Sequence, residues 1–244
     1  MHPPEVIYLE HDGKVLLVDA NGIGPKRPGQ TNSDESAEKL RFPTSSEVKE
    51  MKIEWEEKIR ITITKEPSHV TVIKGYPKIP FPHDWAWKDD VFLRDDVEGI
   101  VREAVYRSIH RLVSKLIVYN SKDEILMAKV KRGHFRGYWT LPGGYMDHNE
   151  HPIEGCQRET LEEIGLNITT DGRPPFVTQK IFNREGVSFV SFTYSAFWDG
   201  EISELSPLEE EIEEIDWFSL QTALKTSVSF FDSEAIRLFL DANK

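Results

Sequence analysis

Residues 144–166, GYMDHNEHPIEGCQRETLEEIGL, contain the pattern that decides the fold. Pro152 suits the first turn of a helix, because the N–H that proline lacks would have no helical partner there. Gly165 suits the position just beyond a helix, where a left-handed backbone is favoured. The stretch therefore predicts a helix that begins near Pro152 and ends just before Gly165.

Three acidic residues of this helix, Glu159, Glu162 and Glu163, are spaced i, i+3 and i+4. This spacing places their carboxylates on one face, one turn apart. Like charges so placed destabilise an isolated helix by roughly a few tenths of a kcal/mol per pair. A divalent cation would compensate, since Mg²⁺ prefers oxygen ligands and is commonly held by carboxylates and substrate phosphates. The alternative is a solvated acidic face, the usual environment of a charge cluster.

The same residues resemble the signature of the Nudix hydrolases, G-x5-E-x7-R-E-U-x-E-E-x-G-U, in which U is usually a bulky apolar residue. Every fixed position is present, and Thr160 is the one loose fit at a U position. In the family an aromatic residue and Leu-Pro-Gly-Gly lead into the signature, and here these are Trp139 and residues 141–144. The resemblance covers residues 114–244.

The resemblance implies an α+β fold, a Nudix-type α/β/α sandwich with a mixed sheet, in the C-terminal half. Sequence patterns agree with strands over residues 116–119, 124–130, 176–183 and 188–197, a short strand within 208–218 and a closing helix over 232–243. We expect Asp232 or Ser233 to cap that last helix. The strands at 176–183 and 188–197 should form a hairpin around residues 184–186.

The N-terminal half carries no recognisable motif, and its periodicity predicts a small α+β domain over residues 1–95. Strands at 6–9 and 14–19 flank Asp12-Gly13, a hairpin turn signal. A helix is expected over 46–57 with Ser45 or Ser46 as its cap, followed by strands at 58–64 and 69–74. Residues 12–19 faintly resemble residues 123–130, which suggests that the first half is a degenerate Nudix-like copy of the second.

Two further segments lie before the predicted Nudix hydrolase domain of residues 114–244. Residues 76–95 contain three prolines, which exclude a regular helix or central strand. Their aromatic residues indicate either a lid that stacks on a base or, as we favour, a linker packed between domains. Residues 96–113 have helical periodicity and predict a connecting helix, whose apolar stripe could equally form a homodimer interface.

The resemblance also implies roles for particular residues. The metal ligands would be the carboxylates of Glu159, Glu162 and Glu163 with the carbonyl of Gly143. The catalytic base would be Glu159 or an acid from a distal loop, for which we select Glu211, six residues before Trp217. The remaining roles are structural support of the signature (Glu150, Arg158, Gly144 and Gly165) and substrate binding (Arg132, Arg136 and Trp139). An exposed basic loop is an equal alternative for the two arginines.

The reaction implied is Mg²⁺- or Mn²⁺-dependent hydrolysis of a diphosphate bond in a nucleoside diphosphate linked to another moiety. ADP-ribose, a nucleotide sugar or a dinucleotide is the expected small-molecule substrate. The alternatives are pyrophosphohydrolysis of a nucleoside triphosphate and a nucleotide-sensing module without turnover. Because sensors commonly lose carboxylates of the signature and this chain retains them all, an enzyme is favoured.

Composition limits the partners. The net charge of −12 argues against binding to nucleic acid or to an anionic membrane surface, which both require clustered Lys and Arg. The single cysteine, Cys156, excludes an intrachain disulfide and a multi-cysteine zinc site, and we expect it to be a buried small hydrophobe. The first ten residues lack the basic and apolar regions of a secretory signal, so the expected location is the cytoplasm.

Overall fold

A computed structural model describes residues 4–29, 39–65, 68–182 and 186–243. The chain divides into two compact units. The first comprises Met1–Ile109 with Ile181–Ser188, and the second comprises His110–Lys180 with Phe189–Lys244. Both units combine a mixed sheet with helices, so the expected α+β fold is confirmed.

The first unit is built on a sheet with the strand order β3-β4-β1-β2-β5. Strands β1 and β4 are parallel, whereas the other neighbours in this sheet are antiparallel. In chain order its elements are β1 (Glu5–His11), β2 (Lys14–Val15), α1 (Ser45–Glu50), β3 (Trp55–Lys65), β4 (Ser68–Pro77), β5 (Ala86–Trp87), α2 (Lys88–Val91) and α3 (Gly99–Ser108).

The expected hairpin at the start of the first unit is confirmed. Asp12 has φ 46° and Gly13 has φ 79°, so two successive residues adopt the left-handed conformation that a tight hairpin turn requires. Strands β1 and β2 pair antiparallel on either side of this turn.

The predicted helix over 46–57 is too long and its cap was misplaced. Helix α1 ends at Glu50, and strand β3 begins at Trp55. The cap is Thr44, which forms a capping box with Glu47: the Thr44 side chain accepts from the Glu47 N–H, and the Glu47 carboxylate accepts from the Thr44 N–H. Threonine and serine cap helices by the same chemistry, so the sequence alone did not choose among the neighbouring hydroxyl residues.

The predicted connecting helix over 96–113 is also too long. Helix α3 ends at Ser108, and residue 111 already begins the first strand of the second unit. Much of its apolar stripe is buried in the core of the first unit, so those residues are not available for the dimer interface named as an alternative. The buried stripe residues are Val97, Val101, Ala104 and Val105.

The aromatic segment at 76–95 belongs to the first unit and is not a linker between domains. Trp85 and Val91 are buried in the clusters that form the core of this unit. Phe81 and Trp87 remain partly exposed and flank the Lys14 ammonium, which lies 5.2 and 4.9 Å from their ring centroids. The segment therefore contributes side chains to the core of its own unit.

The second unit is built on a sheet with the strand order β10-β11-β6-β7-β12. Strand β11 runs parallel to β6, β7 and β12 pair antiparallel, and two short strands add to this path, β8 on β7 and β9 on β6. Its elements are β6 (Arg111–Tyr119), β7 (Glu124–Val130), β8 (Trp139–Thr140), β9 (Gly143–Tyr145), α4 (Pro152–Ile164), β10 (Phe176–Phe182), β11 (Val187–Phe197), a 3₁₀ turn (Ile202–Glu204), β12 (Ile212–Ser219), α5 (Leu220–Thr226) and α6 (Phe230–Ala242).

Alternating side chains of β6 and β7 point to opposite faces of this sheet, as the pleat requires. Leu116 and Leu126 pack in the cluster that contains residues of α4. Ile117 and Ile125 pack in the cluster that contains residues of α6. The expected α/β/α sandwich is thus confirmed, with α4 on one face and α6 on the other. The hairpin turn predicted at 184–186 lies partly outside the described residues.

Helix α4 has the ends that the sequence predicts. Pro152 lies in its first turn, where His151 provides the cap, and Gly165 follows its last turn with φ 72°. Cys156 and Thr160 are buried on the sheet side of α4, which confirms the core role expected for the cysteine. No helix among the described residues is long and apolar enough to cross a membrane.

The C-terminal end of α4 offers a matched pair of substitutions. Gly165→Ala would place a Cβ 2.9 Å from the Ser206 backbone nitrogen in addition to straining a left-handed residue. Gly172→Ala imposes the same strain at φ 82° but has open space around it. We expect the control to cost about 1 kcal/mol and Gly165→Ala to cost clearly more, as measured by urea unfolding. Equal costs would show that the close approach to Ser206 does not limit residue 165.

Candidate active site

Helix α4 presents its acidic face towards the glycine turn that precedes the signature. Glu162 is exposed, whereas Glu159 retains only 16% of its side-chain exposure. Glu163 accepts a hydrogen bond from the backbone N–H of Gly143 at 2.9 Å. The three carboxylates therefore share a face but differ in their access to water.

Arg158 binds the acidic residues on both sides of the site. Its Nε and Nη2 donate to the two carboxylate oxygens of Glu150 at 2.7 and 3.1 Å. Its Nη1 donates at 2.9 Å to both Glu159 and Glu162, and Nη2 also donates to the Tyr145 carbonyl at 3.1 Å. This bidentate geometry, typical of Arg–carboxylate pairs, fastens the loop before α4 onto the helix.

The two glycines of the Leu-Pro-Gly-Gly turn allow the backbone to approach the carboxylates. A Cβ on Gly144 would lie 2.8 Å from the carboxylate carbon of Glu159. Gly143 has φ 136°, which L side chains rarely adopt, and a Cβ there would lie 2.3 Å from the Ser114 carbonyl oxygen. A side chain at Gly144 would therefore collide with Glu159 on α4, and one at Gly143 would collide with strand β6.

Burial and mutual repulsion raise the pKa of two carboxyl groups in the site. Burial raises the pKa of Glu163 to about 7, although the Gly143 N–H and the Lys115 charge act in the opposite direction. Burial also raises the pKa of Glu159, against the opposing effect of Arg158. The charge of Glu211 contributes to raising both values, so its carboxylate lies within electrostatic reach of this pair.

The loop that carries Glu211 is fixed by backbone hydrogen bonds. The Leu208 N–H donates to the carbonyl of Glu163 at 2.9 Å, and the Lys131 N–H donates to the carbonyl of Glu211 at 2.7 Å. The Glu211 carboxylate forms an ion pair with Arg132. Glu211 is thereby held between the end of α4 and the segment after β7.

The donor set suits a hard divalent cation. Carboxylate oxygens on one helix face and a close backbone turn are the ligands that Mg²⁺ and Mn²⁺ prefer. Within the described ranges, no group of three or more His, Cys, Asp or Glu side chains is already arranged around a single point. In this structure, Glu159 and Glu162 accept from Arg158, and Glu163 accepts from the Gly143 N–H.

The other residues selected for substrate binding lie in different environments. Trp139 packs edge-on against Phe218, with 4.8 Å between ring centroids, beside the core cluster under α6. Arg136 is exposed in the turn between β7 and β8. Arg132 faces the site through its ion pair with Glu211.

Sequence reasoning assigned Asp232 the wrong role and did not select Lys115. Ser229 caps α6, and its side chain accepts from the Asp232 N–H. The carboxylate of Asp232 is fully buried and accepts from the Lys115 ammonium at 2.7 Å and from the Leu141 N–H at 3.1 Å. The one signal was the position of Lys115 itself, a lysine directly before the apolar run of residues 116–118.

Comparison with known proteins identifies the family. A family model described as the NUDIX domain matches residues 109–239, more than half of the chain. The chain therefore belongs to the Nudix family, and the resemblance drawn from the signature is confirmed.

Among curated proteins, the chain is similar to the 8-oxo-dGDP phosphatase NUDT18 of two vertebrates. The Homo sapiens protein is 32% identical over 107 residues, which cover 44% of this chain and 29% of the relative. The Danio rerio protein is 28% identical over 109 residues, which cover 44% of this chain and 32% of the relative. The chain thus spans about a third of the length of these relatives.

Solved structures similar to part of this chain include a Nudix hydrolase and an Ap4A hydrolase. The MutT NUDIX hydrolase from Burkholderia pseudomallei has a TM-score of 0.45 at 26% identity and covers 53% of this chain and 97% of its own. A C. elegans Ap4A hydrolase binary complex has a TM-score of 0.47 at 18% identity and covers 55% of this chain and 97% of its own.

The raised pKa of Glu163 predicts a pH-dependent stability. In the unfolded chain this carboxyl group ionises near its ordinary pKa of 4.5, whereas in the fold it remains protonated up to about 7. The folded state therefore loses stability as pH rises through this window. In metal-free buffer we expect Glu163→Gln, which keeps an acceptor for the Gly143 N–H, to be more stable than wild type at pH 8 by up to about 3 kcal/mol. Below pH 5 the two proteins should differ little.

Urea unfolding at pH 5 and pH 8 measures this difference, and Mg²⁺ should stabilise the wild type at pH 8 more than it stabilises the variant. A stability difference that is the same at both pH values would contradict the assignment of a buried, repelled carboxyl group to Glu163.

Proposed function

We propose that this protein hydrolyses a diphosphate bond in a nucleoside diphosphate linked to another moiety, with Mg²⁺ or Mn²⁺ as cofactor. One observation carries the proposal: the chain retains every acidic residue of the signature, and Glu159 and Glu163 on α4 lie close to the glycine turn. ADP-ribose, nucleotide sugars and dinucleotides are the substrates proposed first.

In this proposal Glu159, Glu162, Glu163 and the carbonyl of Gly143 hold the cation, which would neutralise phosphate oxygens and lower the pKa of a bound water. The chain's own groups position the reactants. Arg158 fixes the helix face relative to the loop that carries Glu150. Glu159, partly shielded and with a raised pKa, is suited to accept the proton of the attacking water, and Glu211 is the alternative base.

Arg132 and Arg136 remain proposed contacts for the substrate phosphates. Of the two, Arg132 is the better candidate, because its ion pair with Glu211 places its guanidinium beside the acidic face of α4. The proposed location is the cytoplasm, where nucleotide substrates of this class are available.

A second candidate substrate class is the oxidised purine nucleoside diphosphate or triphosphate. The names of the similar NUDT18 proteins refer to 8-oxo-dGDP. A Proteus vulgaris 8-oxo-dGTP diphosphatase is also 42% identical over 38 residues, which cover 16% of this chain and 34% of the relative. A nucleotide-sensing module without turnover is the remaining alternative.

A turnover screen with Mg²⁺ and then Mn²⁺ tests these proposals. The compounds are ADP-ribose, UDP-glucose, NADH, a diadenosine polyphosphate, 8-oxo-dGDP and a set of nucleoside triphosphates, with products identified by mass spectrometry. We expect one class to be cleaved at the diphosphate. Tight binding of one compound without cleavage of any would favour the sensing module.

Glu162→Gln should reduce kcat for the cleaved compound by about 100-fold or more, because it removes a charged ligand without changing the side-chain volume. Glu154→Gln is the matched control: it lies in the first turn of the same helix, and glutamine preserves its capping box. Wild-type turnover in Glu162→Gln would remove Glu162 from the metal site.

A further inference from the structure

The second unit contains a buried ion pair that the roles assigned above do not use. Lys115 on β6 is 7% exposed, and Asp232 in the first turn of α6 is 0% exposed. The Lys115 ammonium donates to the Asp232 carboxylate at 2.7 Å. Removing two charges from water is costly, and replacing a buried ion pair with apolar residues is often neutral or stabilising.

This ion pair forms hydrogen bonds with the backbone of the Leu-Pro-Gly-Gly turn, which leads into the signature. Asp232 accepts from the Leu141 N–H at 3.1 Å, and Lys115 donates to the Leu141 carbonyl at 3.3 Å. Both backbone groups of Leu141 are therefore held by one ion pair. On β6, Lys115 is also the register partner of Gly143, so the same lysine fixes the turn at two points.

The turn in question determines the geometry of the acidic face. Two residues after Leu141, the Gly143 N–H meets the Glu163 carboxylate, and the next residue, Gly144, lies against Glu159. A shift of Leu141 would be transmitted to both contacts, because Pro142 restricts the backbone between them.

We propose that Lys115 and Asp232 are positioning residues, which hold the Leu-Pro-Gly-Gly turn at the distance from α4 that metal binding and turnover require. The expected effect on turnover rests on the proposed function, whereas the contacts of the ion pair with Leu141 do not depend on it. It also gives α6, which is remote in sequence from the signature, a direct part in shaping the site.

Asp232→Asn tests the proposal, because asparagine keeps the shape and an acceptor but removes the charge that faces Lys115. We expect kcat to fall about 10- to 100-fold, the scale of an ångström-sized misplacement, with KM nearly unchanged. Mn²⁺ affinity, measured by electron paramagnetic resonance, should fall as well. Asp171→Asn is the matched control, since Asp171 pairs with Arg173 and Ser195 in the same unit but does not touch the turn.

The double variant Lys115→Met with Asp232→Leu separates positioning from stability. It removes both charges and should remain folded in urea unfolding, as apolar replacements of buried ion pairs commonly do. Positioning predicts that its kcat and Mn²⁺ affinity stay low. A folded double variant with wild-type kcat and Mn²⁺ affinity would overturn the proposal. If the wild type hydrolyses nothing in the screen, the proposed function fails, and Mn²⁺ affinity alone still decides the role of the pair.

A different observation concerns the first unit, whose sheet repeats the topology of the second. The two strand orders, β3-β4-β1-β2-β5 and β10-β11-β6-β7-β12, match position by position in chain order. The parallel pair is β1 with β4 in one sheet and β6 with β11 in the other. In both units a helix lies between the second main strand and the next, and helices follow the last strand.

We infer that the first unit is a second copy of the Nudix fold that has lost its metal-binding helix. Helix α1 occupies the place of α4 but is only six residues long. Its Glu47 is bound in bidentate fashion by Arg41 at 2.9 and 2.6 Å, so the charge of that carboxylate is already compensated. The similarity of residues 12–19 to residues 123–130 falls at the matching turn and strand of the two units.

An experimental structure of the whole chain, with Mn²⁺ bound, tests this inference. We expect the five main strands of each unit to superpose in the same order and direction, with Mn²⁺ on α4 and none on α1. A different strand order in residues 4–109, or Mn²⁺ bound at α1, would overturn it.

Discussion

The guanidinium of Arg158 makes the acidic face of α4 possible. It lies among Glu150, Glu159 and Glu162 and donates to each of them. Without a cation in this place, the loop before α4 and the helix face would repel each other. The same side chain holds the Tyr145 carbonyl, so strand β9 and the glycine turn are aligned with the helix as well. One arginine thus joins the loop, the strand and the helix of the signature.

On the other side of the site, Glu163 is partly buried against the glycine turn and accepts from the Gly143 N–H, and Glu211 pairs with Arg132. Burial raises the pKa of Glu163 to about 7, and the charges of Glu159 and Glu211 add to this shift. A chain with a net charge of −12 would also repel a diphosphate. A divalent cation at this face, as proposed above, would neutralise the carboxylates and attract the substrate.

Local patterns in the sequence were sufficient where the interactions are local. Pro152 and Gly165 define the ends of α4 because capping depends on neighbouring residues. Helix α3 was predicted too long because the apolar residues of β6 continue its periodicity without a break. The pairing of Lys115 with Asp232 could not be predicted, since it joins residues 117 positions apart that meet only when β6 and α6 pack. The position of Glu211 was inferred from the family and not from its own pattern.

The two units show that topology alone does not determine chemistry. At the first helix of the first unit, one arginine meets one glutamate, and the charges of Arg41 and Glu47 cancel. At the corresponding helix of the second unit, Arg158 faces several carboxylates, and negative charge remains. The difference lies in helix length: α4 continues for two further turns and places acidic residues on its exposed end, whereas α1 stops before such a face could form. A sheet of the same order therefore carries a short helix with a paired glutamate in one unit and a longer helix with an acidic face in the other.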